Sequence, residues 1–236
     1  MDKVYFIAKK ELLSYFKSPV AYITLVLSIS VFNVFFFLII DQNREVSLRD
    51  VFHVMEFMFL FLVPIMTMRL FSEEKASGTM EFLMTAPVTN MAIVLGKYLG
   101  VLVFFTMLIS LTLIYFVIIE FFGSPDRMTI VSGYIGVWLE GAFFIAVGMM
   151  TSSWTRNQIV AAMMSYVILF FLYFLINFTK YFSGAAETFI QYMSTLTHLE
   201  HFIVGIITVG DLVYYLSGIF ICILFTRLSI ENRVFQ

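Results

Sequence analysis

In a chain this apolar, chemistry has to be sought at the few ionisable side chains placed inside long hydrophobic runs. Glu140 is the sharpest case, because it is the only charged residue in the run 130–152. A carboxylate at a bilayer centre costs roughly 2.5–3.5 kcal/mol on insertion scales, so it has to face protein or a water-filled pathway. Desolvation favours its neutral form. Two readings stay open for it: a pathway residue, or a structural hydrogen bond to a neighbouring span. His53 and Glu56 lie one helical turn apart within another apolar run. They can form a polar cluster at an outer mouth together with Glu120, or simply sit in wet headgroup territory, where charge costs little. His198-Leu-Glu-His201 has a spacing that puts two imidazoles on one helix face. A closed metal site needs four ligands and no cysteine lies nearby, so interfacial or capping histidines are the plainer reading and no metal site is assigned.

Nothing in this set makes a convincing nucleophile–base pair, which weighs against an intramembrane enzyme. The chain also has no Gly-x-x-x-x-Gly-Lys-[Ser/Thr] phosphate loop. Gly96-Lys97 is followed by Tyr98, lacks an upstream glycine at the required spacing, and opens an apolar run. Any ATP-driven work is therefore expected from a separate ATPase, which would bind the ATP and magnesium. No cofactor is expected in this chain.

These residues need elements to position them, and the composition says which kind. With 61% apolar residues, 18% aromatic residues and only 13% charged, and a mean hydropathy of +0.96, an ordinary soluble domain is excluded. A net charge of −2 leaves no nucleic-acid footprint. The opening residues lack the compact apolar core and small-residue cleavage site of a signal peptide. The single cysteine, Cys222, has no internal disulfide partner and reads as inert.

Six apolar runs approach or exceed the ~20 residues that a helix needs to cross a bilayer: 21–40, 51–70, 91–119, 130–152, 159–178 and 211–228. Ahead of them, 2–17 reads as an amphipathic helix lying at the interface. Val4, Tyr5, Ala8, Leu12, Leu13 and Phe16 share a broad face, and Lys3, Lys10 and Lys17 recur on the other. Between spans five and six, 185–193 and 199–209 are each too short to cross. They read as a re-entrant or interfacial hairpin broken at 194–198 and at Gly210. Glycines at 96, 100, 133, 136, 141 and 148 permit close helix approach. With the N-terminus inside, the inner side holds ten of the fourteen basic residues and the outer side four. That asymmetry places both termini and the 69–100 stretch in the cytoplasm.

The stretch 69–100 is the densest block of charge and turn chemistry in the chain. It reads as a short surface helix over 72–87, capped by Ser72, carrying Glu73, Glu74 and Glu81, and stopped by Pro87. An ordinary loop between spans is the bland alternative. Arg69, Glu73, Glu74, Gly78, Thr79, Glu81, Pro87, Val88, Gly96 and Lys97 resemble the pattern of ABC-2 (type V) ABC transporter permeases: a basic residue ending span two, acidic residues, Gly-Thr, a further acid, Pro-Val, then Gly-Lys opening span three. The block His201 to Gly205 and Gly210 to Tyr215 is similar to the outer segment leading into the last span of those proteins. Within the family the chain resembles gliding-motility-type permeases most, with copper-enzyme-maturation permeases second.

The resemblance implies an all-α polytopic membrane protein with one transmembrane domain over 1–236. Its parts are an interfacial helix at 1–18, a cytoplasmic coupling helix at 72–87 and an outer re-entrant hairpin at 179–210. It further implies a permease subunit of an exporter in a bacterial inner membrane, pairing with an identical or homologous permease and driven by two ABC ATPase subunits. An accessory envelope protein and membrane lipid are further partners. Arg69, Glu73, Glu74, Gly78, Thr79, Glu81, Pro87 and Lys97 would couple to the ATPase, and Glu140, Glu56 and His53 are pathway candidates. A mechanical or assembly subunit acting on the envelope is the alternative function.

Overall fold

The chain was analysed as a computed structural model describing residues 2–43, 47–80 and 88–231. Helix α1 spans Asp2–Lys17, α2 Pro19–Asn43, α3 Arg49–Thr67 and α4 Arg69–Ala76. After the 81–87 segment come α5 (Asn90–Thr112), α6 (Ile114–Phe122), α7 (Arg127–Ser152) and α8 (Gln158–Phe174). A 3₁₀ segment, Leu175–Tyr181, leads to α9 (Ala185–Met193), α10 (Thr195–Val204) and α11 (Val209–Glu231). Among the described residues there is no strand. Among the described residues, six stretches are long and apolar enough to cross a membrane: Ala21–Asp41, Arg49–Ala76, Asn90–Phe122, Arg127–Ser152, Gln158–Tyr181 and Val209–Glu231.

Helix starts are set by local side chains. Thr89 caps α5 by accepting from Ala92 N–H at 3.3 Å. Asp126 caps α7, accepting from Met128 N–H and the Thr129 hydroxyl; those bonds, the Thr129 one foremost, hold its carboxyl below the usual range. Asn157 caps α8 through Ile159 N–H at 2.9 Å. At α11 the Thr208 hydroxyl donates to Asp211 Oδ2 while Asp211 N–H returns a bond to Thr208, a reciprocal cap.

Helix α7 is the hub. Within its membrane-length window 83% is buried inside the subunit, against 22% for the first and fifth spans. It packs on α3, α4, α5, α8, α10 and α11. Its small residues make room for the neighbours: Gly133 lies against Phe52, Gly136 against Phe202, Gly141 against Phe105 and Gly148 against Thr67.

Helix α1 is seated on the start of α5. A Cβ at Gly96 would come within 2.6 Å of Ile7 Cβ, and one at Gly100 within 2.7 Å of Glu11 Cβ. The Gly96–Gly100 pair is thus the bed in which α1 lies. Tyr5, Phe6 and Leu13 remain exposed on the far side of α1, which leaves an apolar face for the interface.

Two segments differ from the sequence expectation. The helix expected over 72–87 begins earlier, at Arg69, and α4 ends at Ala76; a turn at 77–78 follows, Thr79 and Met80 are again helical, and 81–87 lie outside the described residues. In the hairpin, Thr195 to His198 are helical and the breaks fall at Ser194 and 205–208. Gly205 ends α10 at φ 96°, while Gly210 lies inside α11. Gly205 sits one residue past the last turn of α10, where a left-handed backbone favours glycine.

Gly100→Leu is expected to unseat α1 at a cost of about 1–3 kcal/mol from overpacking. A lower thermal midpoint in detergent, with faster protease cleavage confined to α1, would check this; a wild-type profile would refute it.

Candidate functional site

The charge cluster at the α1–α4–α5 end of the bundle is built around Lys97, which is 3% exposed at the start of α5. An ammonium has three N–H donors. Lys97 Nζ reaches Leu70 O at 2.8 Å, Glu74 Oε1 at 2.8 Å and Glu11 Oε2 at 3.3 Å. One side chain thereby ties α1, α4 and α5 together. Arg69 lies over the Tyr15 ring, 4.3 Å from its centroid, and the Tyr15 hydroxyl donates to Met66 O. Burial foremost, then the nearby Glu11, pushes the Tyr15 phenol up, so it acts as a fixed donor. Lys10, Glu11, Arg69, Glu73, Glu74 and Lys97 are among the residues around a cleft of about 220 Å³ here.

The other side of α4 is held by the end of α7. Between α3 and α4 the regular helical ladder is interrupted by the Ser152 hydroxyl. It donates to Met68 O at 2.8 Å and accepts from Phe71 N–H at 3.1 Å and Ser72 N–H at 3.2 Å. One donor and two lone pairs are all a serine hydroxyl offers, and all are used. A side chain inserted into the ladder is a recognised cause of a helix break. Lys75 Nζ donates to Ser153 O, which also accepts from the Ser229 hydroxyl at 3.0 Å. A cation on the last carbonyls suits the C-terminal end of α7. Beyond Lys75 the tip is exposed: Ala76, Ser77, Gly78 and Thr79, with Glu73 one turn back. Gly78 turns the chain at φ 72°.

Midway along the bundle, Glu56 of α3 and Glu140 of α7 are both 0% exposed. They lie close enough to act on each other electrostatically, yet all four oxygens lack a hydrogen-bond partner among the described residues. His53 Nδ1 stands 3.6 Å from Glu56 Oε2, and His53 Nε2 stands 3.3 Å from Glu200 Oε2 on α10. Glu120, by contrast, pairs with Arg127.

At the hairpin, Asp211 gathers both remaining histidines. His198 Nδ1 lies 2.6 Å from Asp211 Oδ1 and its Nε2 lies 2.9 Å from Tyr192 O. His201 Nδ1 lies 3.1 Å from both Asp211 oxygens. Tyr214 stacks on the His198 ring at 3.9 Å. This cluster clasps α9, α10 and α11 together. Among the described residues, no group of three or more His, Cys, Asp or Glu could hold a metal.

Residues 5–219 match the family model described as ABC-2 family transporter protein. The chain belongs to that family. No curated protein matches it. As an ABC-2 family member it is a multi-pass membrane permease component of an ABC transporter, in a family that works with ABC ATPase subunits. Such permeases are typically non-catalytic membrane subunits.

Against that frame, the sequence-predicted residues of the permease separate clearly. Arg69, Glu74 and Lys97 converge on one cluster; Glu73, Gly78 and Thr79 form its exposed tip. Glu81 and Pro87 lie outside the described residues. Ser72 is not a cap: it is fully buried inside α4, and its hydroxyl bonds back to Met68 O. Glu56 is enclosed by neighbouring helices rather than solvated, and among the described residues Glu120 pairs with Arg127 and forms no cluster with Glu56 and His53. Glu140 is sealed from solvent beside Glu56, and neither reading of it is decided, since its oxygens have no hydrogen-bond partner among the described residues. Sequence reasoning missed Glu11, Lys75, Ser152 and Glu200 as partners. Glu11 was legible in principle, as an acid one turn before Tyr15 on the face of α1 toward α5. For Ser152 no sequence signal exists.

Ser152→Ala removes the hydroxyl that accepts from the Phe71 and Ser72 N–H groups. It is expected to cost about 1–3 kcal/mol and to speed amide exchange at Phe71 and Ser72 while leaving α11 unchanged. Lys97→Met should cost roughly 1–3 kcal/mol, between the limits for exposed and buried pairs. A thermal midpoint unchanged from wild type would refute this second expectation.

Proposed function

We propose that this permease subunit lines an export pathway as a dimer, identical or heteromeric, in a bacterial inner membrane, with both termini cytoplasmic and two ABC ATPases docked below. The observation that carries the reading is the α4 tip. It is the exposed end of an element whose other contacts are locked: Lys97 fastens it to α1 and α5, and Ser152 with Ser153 fastens it to α7. A push on Glu73 or on 76–79 therefore cannot be absorbed locally and moves several spans together. This is a transmission between rigid elements. ATP and magnesium would be held by the ATPase alone.

The first and fifth spans, each only 22% buried in the subunit, offer broad apolar faces to lipid and to a second permease. Glu140, Glu56 and His53 sit on the spans α3 and α7 that such a movement would displace. That supports a role for them in the transport cycle rather than in ATPase docking. An accessory envelope protein would meet the α9–α10 hairpin, at the opposite end from α4.

The test is purification of the full chain together with an ABC ATPase encoded alongside it. Co-purification with permease-dependent ATPase stimulation is expected. Gly78→Pro forces φ to about −65° where the chain needs a positive value, and Glu81→Arg reverses a charge in the same stretch. Both should insert normally but lose stimulation. An ATPase that neither binds nor responds would sink the reading, and full stimulation in both variants would remove the coupling assignment from α4.

A further inference from the structure

Glu56 and Glu140 present an electrostatic problem that the transporter reading does not address. Two carboxyl groups from different spans act on each other in the core, both 0% exposed, with none of their four oxygens hydrogen-bonded among the described residues. Two like charges out of water repel strongly, and each also forfeits its hydration. The other titratable groups facing them offer little relief. Tyr173 comes from α8, Tyr214 and Tyr215 from α11, and Glu200 from α10. On α3 itself His53 adjoins Glu56, and Asp50 acts on His53. Glu140 has no cation beside it among these residues. The oxygens are sealed from solvent, so no metal ion or amine can be seated without parting the helices. The proton is the one ligand that needs no room.

The pair is also wired to one end of the bundle. Glu200 is about half exposed, His53 is 39% exposed, and Glu56 lies behind them. We propose that Glu140 and Glu56 form a proton-binding site between α3 and α7, loaded from the hairpin end of the bundle through Glu200 and His53. A proton taken up from solvent at Glu200 passes to His53 Nε2 across 3.3 Å. The imidazolium then releases its Nδ1 proton to Glu56 Oε2, leaving His53 neutral in its other tautomer and Glu56 protonated. The 3.6 Å gap on the inner side closes by a small rotation of the partly exposed ring. The protonated carboxyl can then donate to Glu140, turning a repulsion across α3 and α7 into a shared hydrogen bond. Because α3 runs directly into α4, occupancy of the pair biases how α4 sits on α7. The transport stroke thereby becomes sensitive to pH on the hairpin side.

The assignment stands on the fold alone, so it can be tested without an ATPase. Infrared difference spectroscopy on the purified full chain in lipid nanodiscs at neutral pH reads the C=O stretch of a protonated carboxyl. The wild-type protein is expected to show this band, and Glu140→Gln is expected to lose it, since Glu56 can then ionise beside His53. Glu56→Gln should retain the band at a shifted frequency. In His53→Leu the band should persist, but its deuterium shift should appear about tenfold or more slowly than in wild type. A wild-type spectrum unchanged by Glu140→Gln overturns the proton site. If that variant does not fold, an unshifted band in Glu56→Gln does the same. Exchange as fast in His53→Leu as in wild type overturns the relay.

Discussion

A lysine ammonium taken out of water must find three acceptors, and Lys97 finds them on two other elements. This requirement shapes the charged end of the molecule. Glu11 must be presented by α1, so α1 must lie close to α5, and the Gly96–Gly100 bed allows that approach. Leu70 O and Glu74 must be presented by α4, so α4 must fold back beside the same turn of α5. The cation also stands 5.2 Å from the Phe71 ring centroid, which adds a further contact to the same element. Satisfying one group therefore fixes the mutual placement of three helices that apolar packing alone would leave free to slide.

The bundle behind this cluster is uneven. Helix α7 is enclosed on nearly all sides, whereas α2, α8 and α11 keep much of their apolar surface outward. Between helices in lipid there is little hydrophobic drive, so association depends on close fit and on polar bonds. The structure follows that logic. The tight contacts gather on the glycines of α7, and polar bonds gather toward its two ends, with the Tyr98 hydroxyl donating to Ala142 O between them. The weakly buried spans make few such contacts within the subunit, and their surfaces suit lipid or another subunit.

Much of this was legible in the residue order. Twenty-residue apolar runs reveal spans directly, because length against bilayer thickness is a one-dimensional test. The charge block at 69–79 and the amphipathic pattern of α1 are likewise local. What local reasoning could not supply was partnership. Glu11 and Lys97 are 86 positions apart, and no periodicity links them. Ser72 looked like a cap because caps are judged from neighbours in sequence; its helix had already begun at Arg69, held by a serine from another span. Glu56 looked solvated because its depth was counted from the end of its own run, and α7 and α10 were not in view. The hairpin boundaries moved because Thr208 and Asp211 cap each other, a Thr-x-x-Asp pattern that places the start of α11 ahead of Gly210.

The Ser152 joint also governs how the connection between α3 and α4 can yield. Three hydrogen bonds converge on one oxygen. A bend that stretches one of them drags the hydroxyl away from the other two, so the bonds fail together. Such a connection ties the angle between α3 and α4 to the position of one side chain at the end of α7. Any change in that angle therefore has to carry the end of α7, the most enclosed span, along with it.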